Sequence, residues 1–489
     1  MREIRLHDTL SGTLRPLETR EPGRVGIYAC GPTVYSRIHV GNARPYVVFS
    51  LLKRFLEHEG YAATLVINVT DVNDKIYAAA AAAGLPSEQL AREMTATYVE
   101  DTDGLGLGRP DHEPLATETV GPIVALIEAL IERGHAYAAG GDVYFRVRSF
   151  GPYGKLSNRA LADMEQGEDD INAAGVKESP HDFALWKAGK PGEDTAWDAP
   201  WGRGRPGWHI ECSVMSTKYL GMGFDIHGGA SDLTFPHHEN EIAQAEALAG
   251  AGPFVRFWMH AGLVQMESQK MSKSLGNVVL VRDVVARYPG EVARYWALAG
   301  SYRTQLTFSD GVLDDSAQAY DRWSTFLAAA RHALGGDMPA TPAATRPADA
   351  EPPEGPGGEY VQRFTDTLDD DFNSSGAFAV VHDLVREANR CVEGAQRGPG
   401  EDRNLLIAFT ETFLELTSVM GFRFDAATGS DELTARLIDY LLELREGARR
   451  NKEFAAADGI RDRLESFGVS IEDTPVGPRW RLGTPPAAA

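Results

Sequence analysis

The run RVGIYACGPTVYSRIHVGNARPYVVFSLLKRFLEHEGYAATLVINV, residues 24–69, places a helical pattern between two strand-like segments. In the first segment, residues 24–31, apolar residues alternate as they do along a strand, up to a turn that starts at Cys30. Apolar residues then recur at helical spacing over 43–59, and residues 62–69 form a continuous apolar run typical of a buried strand. Strand, helix and strand in this order predict a βαβ unit within a parallel sheet.

The bulk composition indicates an ordinary globular protein of several domains. Its 489 residues predict about three or four domains, and 43% hydrophobic and 24% charged residues are typical of a soluble chain. The net charge of −22 argues against a non-specific nucleic-acid binder, although a local basic patch could still bind RNA. Three cysteines cannot form a disulfide framework, which favours the cytoplasm, and we expect neither a signal peptide nor a membrane span.

The patterns along the chain predict a Rossmann-like α/β domain in two halves, a region inserted between them, and a helical bundle after them. A segment rich in Gly and Pro, residues 335–358, predicts a flexible loop. The expected units are the first half of the sheet domain (1–110), the insertion (111–201), the second half (202–308), a helical connection (309–334), the loop (335–358), the helical domain (359–470) and a tail (471–489).

Two motifs contain potential metal ligands. GWHIEC, residues 207–212, ends in Cys212, and FPHHENE, residues 235–241, contains His237 and Glu241. The latter two are four positions apart, so on a helix they project from one face and can bind one ion. With Cys30 they form a thiolate, imidazole and carboxylate set suited to zinc. The alternative for each cysteine is a small buried hydrophobic residue.

The turn after the first predicted strand, residues 30–42, has features of a phosphate site. Ligands of open parallel sheets bind at the carboxyl ends of strands, where a helix N-terminus offers free N–H groups. Gly41 would let the backbone approach a ligand, and His39 and Asn42 could donate hydrogen bonds to it. A turn glycine beside a surface histidine is the alternative interpretation.

A second candidate phosphate site is KMSKSLGN, residues 270–277. Lys270 and Lys273 would supply positive charge to a triphosphate as its leaving group departs. The alternative is an ordinary solvated loop.

Taken together, these motifs resemble the two signatures of class I aminoacyl-tRNA synthetases, and in detail those of cysteinyl-tRNA synthetases. The resemblance runs from about residue 6 to residue 482 and is carried by CGPTVY (30–35), NVTDVNDKI (68–76), GWHIEC (207–212), DIHGG (225–229), FPHHENE (235–241) and KMSKS (270–274). It implies zinc ligands at Cys30, Cys212, His237 and Glu241, a phosphate-binding lysine at Lys273 and a ribose-binding acid at Asp232. Two residues depart from the common family pattern, Asn42 for a histidine and Asn73 for an aspartate, and both retain hydrogen-bonding capacity.

The resemblance implies activation of L-cysteine with ATP and Mg²⁺, followed by transfer to tRNA(Cys), by a monomer with one Zn²⁺ per chain. Catalytic charge stabilisation would come from His39, Asn42, Lys270 and Lys273, with Gly41 and Asp232 binding ATP. Thr33, Trp208 and His227 would line the amino-acid pocket, although a core position is an alternative for Trp208. Because a pocket separates cysteine from serine poorly by shape, zinc would select the substrate through its thiolate.

The C-terminal part resembles the family's anticodon-recognising end, which would make the helical bundle an anticodon-binding domain. Its basic residues are Arg445, Arg449, Arg450, Lys452, Arg461 and Arg463. The pair Arg479 and Trp480 could contact tRNA by stacking on unpaired bases. Ordinary charged helix faces, and a tryptophan packed on the bundle, would explain the same residues.

Three rival functions remain open on the sequence. A paralogous ligase joins cysteine to an aminosugar-inositol in mycothiol synthesis and would share the zinc and ATP sites, but it needs no anticodon-binding end. A non-catalytic tRNA-binding homologue is disfavoured by the intact ligand set and KMSKS motif. Other nucleotidyl-transferases of similar fold would leave the two cysteines unexplained.

Overall fold

A computed structural model of the chain describes residues 2–161, 176–250, 252–266, 269–270, 278–341, 355–424, 429–474 and 477–482. The first elements are β1 (Arg5–Asp8), β2 (Thr13–Pro16), β3 (Arg24–Ala29), α1 (Val40–His58), β4 (Ala62–Ile67), α2 (Asp74–Ala83) and α3 (Ser87–Gly104). They are followed by α4 (Val120–Glu132), β5 (Ala136–Ala139), β6 (Asp142–Phe145), β7 (Phe183–Ala188) and β8 (Gly204–Pro206). The chain continues with α5 (Trp208–Leu220), β9 (Phe224–Ala230), α6 (Glu239–Ala249), β10 (Val255–Ala261), β11 (Val264–Met266), β12 (Gln269–Lys270), α7 (Val281–Val285), α8 (Gly290–Leu298) and β13 (Leu306–Phe308). The remaining elements are α9 (Asp310–Leu334), α10 (Gly358–Asp369), α11 (Ser374–Gln396), α12 (Glu401–Val419), α13 (Gly429–Arg450), α14 (Phe454–Ser466), β14 (Val469–Thr474) and β15 (Gly477–Leu482).

A parallel sheet in the order β10-β9-β3-β4 carries the fold. The predicted βαβ unit is confirmed as β3-α1-β4, with Arg24 opposite Ala62 in the register. From β3 the chain crosses to β4 on one side of the sheet, and from β9 it crosses to β10 on the other side. The direction of the connections therefore reverses between the central strands β3 and β9, which makes a topological switch point there. Helix α1 lies so close to β9 that a Cβ added to Gly228 would fall 1.9 Å from the Phe49 ring. The carboxyl ends of β3 and β9 therefore meet where ligands of such sheets bind.

The region inserted between the two halves forms its own four-stranded antiparallel sheet, in the order β5-β6-β7-β8. We expected the insertion to end at residue 201, but the last strand of its sheet is Gly204–Pro206. The sheet packs with α4 and the far face of the parallel sheet in one apolar cluster that includes Phe145, Trp186 and Trp258. Residues 162–175 of the insertion lie outside the described part of the chain.

Helices α10 to α12 of the expected helical domain pack with α9, which we expected as a helical connection, and this bundle packs on α1 and α8 around the fully buried Trp323. Residues 281–298 have a helical pattern in the sequence, and the structure divides them into α7 and α8. The division falls at Pro289, which precedes the first residue of α8 and has no N–H to continue a helix. Of the segment expected to be a flexible loop, residues 335–337 form a short 3₁₀ turn, and residues 342–354 lie outside the description.

The C-terminal residues pack as a small separate unit. The helical pattern of residues 434–467 predicts a pair of helices, and the structure has α13 and α14 there. The expected tail is instead a β-hairpin in its described part, with β14 paired antiparallel to β15. The hairpin was missed because its residues are mostly polar; among those whose burial is described, Val469 and Ile471 are buried against α13 and α14, and Trp480 packs against them. Among the helices of the described residues, none has the length and apolar character needed to cross a membrane.

Candidate metal centre and adjoining pocket

Four potential metal ligands from three parts of the chain meet at the switch point of the sheet. Cys30 directly follows β3, Cys212 lies in α5, His237 lies in the helical turn (Thr234–His238) before α6, and Glu241 lies in the first turn of α6; all four are buried. The sulfur atoms of Cys30 and Cys212 are 3.6 Å apart, and the Cys30 sulfur is 3.7 Å from Glu241 Oε1. His237 Nε2 lies 3.2 Å from the same oxygen. The ligand atoms all lie within 4.8 Å of one another, so the residues expected to bind zinc form one cluster.

The spacing of these atoms fits a single tetrahedral ion. Two sulfurs each about 2.3 Å from a tetrahedral zinc ion would lie about 3.8 Å apart, and a sulfur and a carboxylate oxygen about 3.6 Å apart. The observed separations of 3.6 Å and 3.7 Å are close to these values. Burial raises the pKa of both the Cys30 and Cys212 thiols. Such thiols become good ligands only where a cation compensates the buried negative charge.

Further side chains hold the ligands in place. His227 Nε2 donates to Glu241 Oε2 at 2.8 Å, and the Nδ1 atoms of His209 and His237 lie 2.9 Å apart. Hydrogen-bonded neighbours of this kind fix the orientation of metal ligands. We had expected His227 to line the amino-acid pocket. It is fully buried, contacts Glu241 and is not among the residues that line the cavity, so in this structure it supports a ligand.

A second possible ligand set overlaps the first and was missed in the sequence. Cys30, His227, His238 and Glu241 also have ligand atoms within 4.8 Å of one another. His238 Nε2 lies 3.3 Å from the Cys30 sulfur, and its Nδ1 lies 2.8 Å from His260 Nε2. The doublet of histidines in FPHHENE was the available signal, but the i,i+4 spacing to Glu241 selects only the first of them.

A cavity of about 370 Å³ opens from the metal centre along the carboxyl ends of the strands. Of the residues that we expected in the active site, its walls include Cys30, Thr33, His39, Gly41, Asn42, Trp208 and Asp232. The Trp208 ring packs 4.3 Å from the His237 ring, which places it between the ligand cluster and the cavity. Other wall residues, which were not among the predicted site residues, include Tyr35, Tyr46, Lys75, Leu263 and Val264.

The N-terminus of α1 forms one wall of this cavity. His39 is the N-cap: its Nδ1 accepts from the Asn42 N–H at 3.2 Å, and Asn42 Oδ1 accepts from the His39 N–H at 3.3 Å. These two hydrogen bonds hold both side chains at the first turn of the helix. A Cβ on Gly41 would lie 2.9 Å from His39 Nδ1, so the glycine makes room for the imidazole. The free N–H groups of a helix start are suited to phosphate.

The second signature is described only at its edges. Lys270 lies in β12, which pairs with β11, but its side chain and all of residues 271–277, including Lys273, lie outside the described part. Both flanks of the segment approach α1. The Val40 N–H donates to the Val279 carbonyl at 3.0 Å, and a Cβ on Gly41 would contact Val264 at 3.6 Å.

Two of the basic residues of the C-terminal helices are paired within the C-terminal unit. Arg445 is almost fully buried and forms two hydrogen bonds with Asp473, at 2.7 Å and 2.9 Å, and Arg449 contacts the same carboxylate at 2.9 Å. Trp480 is half-buried and donates from Nε1 to Asp439 at 2.7 Å. The alternative of a tryptophan packed on the helices therefore describes Trp480 better than an open stacking platform. Arg479, next to it, is also half-buried.

Three family models match this chain. Residues 16–318 match the catalytic domain of class I tRNA synthetases (C), residues 363–425 match the DALR domain, and residues 431–481 match the cysteinyl-tRNA ligase anticodon binding domain.

Similar proteins support the same family. Cysteine–tRNA ligase of Heliobacterium modesticaldum is 43% identical over 98% of this chain and 99% of its own, and that of Pelotomaculum thermopropionicum is 44% identical with the same coverage. Mycobacterium tuberculosis methionyl-tRNA synthetase in complex with methionyl-adenylate shares the fold, with a TM-score of 0.58 at 15% identity over 81% of this chain and 89% of that chain. The chain therefore belongs to the cysteine–tRNA ligase family of class I tRNA synthetases.

Proposed function

We propose that this protein activates L-cysteine with ATP and transfers the cysteinyl group to tRNA(Cys). The observation that carries the proposal is the convergence of Cys30, Cys212, His237 and Glu241 beside a cavity whose other wall is the N-terminus of α1. One end of the site has ligands for a sulfur-seeking ion, and the other has groups suited to phosphate. A cysteine bound at the first end would have its carboxylate directed to a nucleotide at the second.

In the first step, the cysteine carboxylate attacks the α-phosphorus of ATP. A bond forms between a carboxylate oxygen and phosphorus, the bond to the bridging oxygen breaks, and pyrophosphate leaves with Mg²⁺. His39 and Asn42 would stabilise charge at the N-terminus of α1, with Asp232 on the ribose. We expect Lys270 and Lys273 to stabilise the departing pyrophosphate. Positioning and charge stabilisation are enough for such a step.

Zn²⁺ bound by Cys30, Cys212, His237 and Glu241 would supply a Lewis acid that holds the substrate sulfur as thiolate, which serine cannot match. The protein's part is to keep these ligands dry and oriented. His227 holds one carboxylate oxygen of Glu241, and His209 and Trp208 pack on His237. Thr33 and Trp208 would enclose the rest of the amino acid.

In the second step, a ribose hydroxyl of the terminal tRNA nucleotide attacks the carbonyl carbon, and AMP leaves. The C-terminal unit would read the anticodon. Its match to the cysteinyl-tRNA ligase anticodon binding domain argues against a ligase acting on an aminosugar-inositol. We also propose that the enzyme is a cytoplasmic monomer, and free cysteines are consistent with a reducing compartment.

Cysteine-dependent exchange of pyrophosphate into ATP, followed by charging of tRNA(Cys), tests the function. We expect exchange with cysteine and little with serine, and Lys273→Ala should abolish exchange while zinc content stays unchanged. Transfer to an aminosugar in place of tRNA would support the mycothiol alternative. Absence of exchange in the zinc-loaded protein would favour a non-catalytic homologue.

A further inference from the structure

A buried arginine next to the helix signature carries an inference that rests on the proposed function. Arg44 lies in α1, two positions after Asn42, and none of its surface is exposed. Its Nη1 donates to the carbonyls of Gly262 and Thr304, each at 2.7 Å, and its Nη2 donates to the Ser301 carbonyl at 3.1 Å. Among the described residues, no carboxylate pairs with it. Burial lowers its pKa to about 10, so it remains charged at neutral pH.

One of the three carbonyls, that of Gly262, belongs to the turn that leads into the second signature, and those of Ser301 and Thr304 belong to the loop between α8 and β13. Gly262 directly follows β10, and the next two residues, Leu263 and Val264, line the cavity. Val264 begins β11, which pairs with both β12 and β13. The segment that contains Lys270 and Lys273 therefore starts from a turn held by Arg44.

The turn has little freedom to move independently of its neighbours. A Cβ on Gly262 would lie 2.1 Å from the Thr304 carbonyl oxygen, and the Gly262 N–H donates to Tyr302 at 2.7 Å. The other flank of the second signature is fixed on the same helix by the hydrogen bond from Val40 to Val279. Helix α1 thus holds both ends of the segment, one through its backbone and one through Arg44.

We propose that Arg44 is a positioning residue for adenylate formation, which holds the Leu263–Val264 wall, and with it the β11 flank of the second signature, against the N-terminus of α1. Arg44 is not among the residues that line the cavity, so its effect on the substrates would be indirect. A buried guanidinium without an ionic partner costs stability, and here it is compensated by three carbonyls from two loops that accept from one rigid, multiply donating group. A lysine at this position would keep the positive charge but would lack the planar guanidinium whose two nitrogens donate to the three carbonyls.

The test compares Arg44→Lys with Arg294→Lys. Arg294 is 1% exposed and also donates to backbone carbonyls, including Gly421 at 2.6 Å, but lies at the contact with the helical bundle. We expect Arg44→Lys to lower kcat for pyrophosphate exchange roughly 10- to 100-fold per active site. Zinc content, the KM for tRNA and single-turnover transfer from preformed cysteinyl-adenylate should be unchanged. Arg294→Lys should lower thermal stability without changing kcat.

Equal effects of the two substitutions on kcat, or an unchanged kcat in Arg44→Lys, would overturn the proposal. If Arg44→Lys does not fold, Gly262→Ala displaces the same turn from the other side and should show the same loss of exchange with spared transfer. An unchanged exchange rate in that variant would also overturn it. Wild-type protein measured in parallel distinguishes failure of the proposed role of Arg44 from failure of the proposed function, because a wild type without exchange would contradict the function itself.

Discussion

The sulfur atoms of Cys30 and Cys212 lie 3.6 Å apart although 182 positions separate the two residues in the chain. Replacing either with serine removes one ligand from the buried cluster. We expect Cys212→Ser to reduce bound zinc to well below one ion per chain and to lower cysteine-dependent exchange at least about 100-fold. Metal analysis and pyrophosphate exchange on the same preparation measure both effects.

The third cysteine provides the matched control. Cys391 is free and buried in α11, away from the ligand cluster. Cys391→Ser should therefore keep full zinc content and full exchange, with at most a small loss of stability. Equal loss of zinc in Cys391→Ser and Cys212→Ser would show that the metal is not bound where the geometry indicates.

Gly41→Ala tests the close contact at the start of α1. The added Cβ would lie 2.9 Å from His39 Nδ1, so the imidazole would leave its N-cap position. Alanine favours a helix, so the substitution should leave global stability within about 1 kcal/mol. We expect kcat for exchange to fall about tenfold or more. Gly121→Ala, in helix α4 with open space around the added atom, should leave exchange unchanged.

His58 predicts a pH dependence of the contact between the sheet domain and the helical bundle. Burial would lower its pKa, but hydrogen bonds to Glu415 and Glu59 outweigh burial and raise the pKa above 6.5. The Nε2–Glu415 distance is 3.3 Å and the Nδ1–Glu59 distance 2.9 Å, and Arg2 approaches Glu59 at 3.6 Å. Folding thus favours the charged imidazole. The stabilisation that the protonated His58 gives to the folded state is complete below about pH 6.5, and it is lost as the pH rises through the folded-state pKa of His58.

We expect the wild type to exceed His58→Gln in unfolding free energy by roughly 1–3 kcal/mol near pH 5.5, and by less near pH 8.5. Thermal unfolding at several pH values measures the difference. For His332→Gln, on the exposed side of α9, the difference in unfolding free energy from the wild type should not depend on pH in this way. A constant difference between wild type and His58→Gln across this range would contradict a charged His58 at the contact.

Local patterns were enough to predict the sheet, the bundle and the first ligand set. The βαβ unit follows from periodicity over 24–69, and the i,i+4 spacing of His237 and Glu241 follows from helix geometry. His238 and Arg44 were missed because their roles depend on long-range contacts, with Cys30 and with the Gly262 turn. The place of His227 could not be predicted for the same reason. Its position in β9 indicates nearness to the site, but not that its imidazole contacts Glu241.

The C-terminal hairpin was missed because two short polar strands give little periodic signal, and its stability comes from contacts with α13. Arg445 and Arg449 both bind the Asp473 carboxylate and hold its pKa at about 2. The stabilisation that this carboxylate gives to the hairpin is fully present above pH 3.8, the ordinary pKa of an aspartate, and it is lost as the pH falls towards 2. Removing residues 475–489 deletes β15, and with it the Trp480 hydrogen bond to Asp439.

We expect that deletion to lower tRNA charging at least about tenfold while pyrophosphate exchange stays near the wild-type rate, because the metal centre and cavity lie in another part of the chain. Asp473→Asn should give a milder loss of the same kind, since it weakens the hairpin without removing it. Trp480→Phe distinguishes packing from stacking: phenylalanine keeps an aromatic face but loses the donor to Asp439. If packing dominates, Trp480→Phe and Asp439→Ala should reduce charging equally. Loss of charging in Trp480→Phe with full charging in Asp439→Ala would instead indicate that the indole contacts tRNA directly.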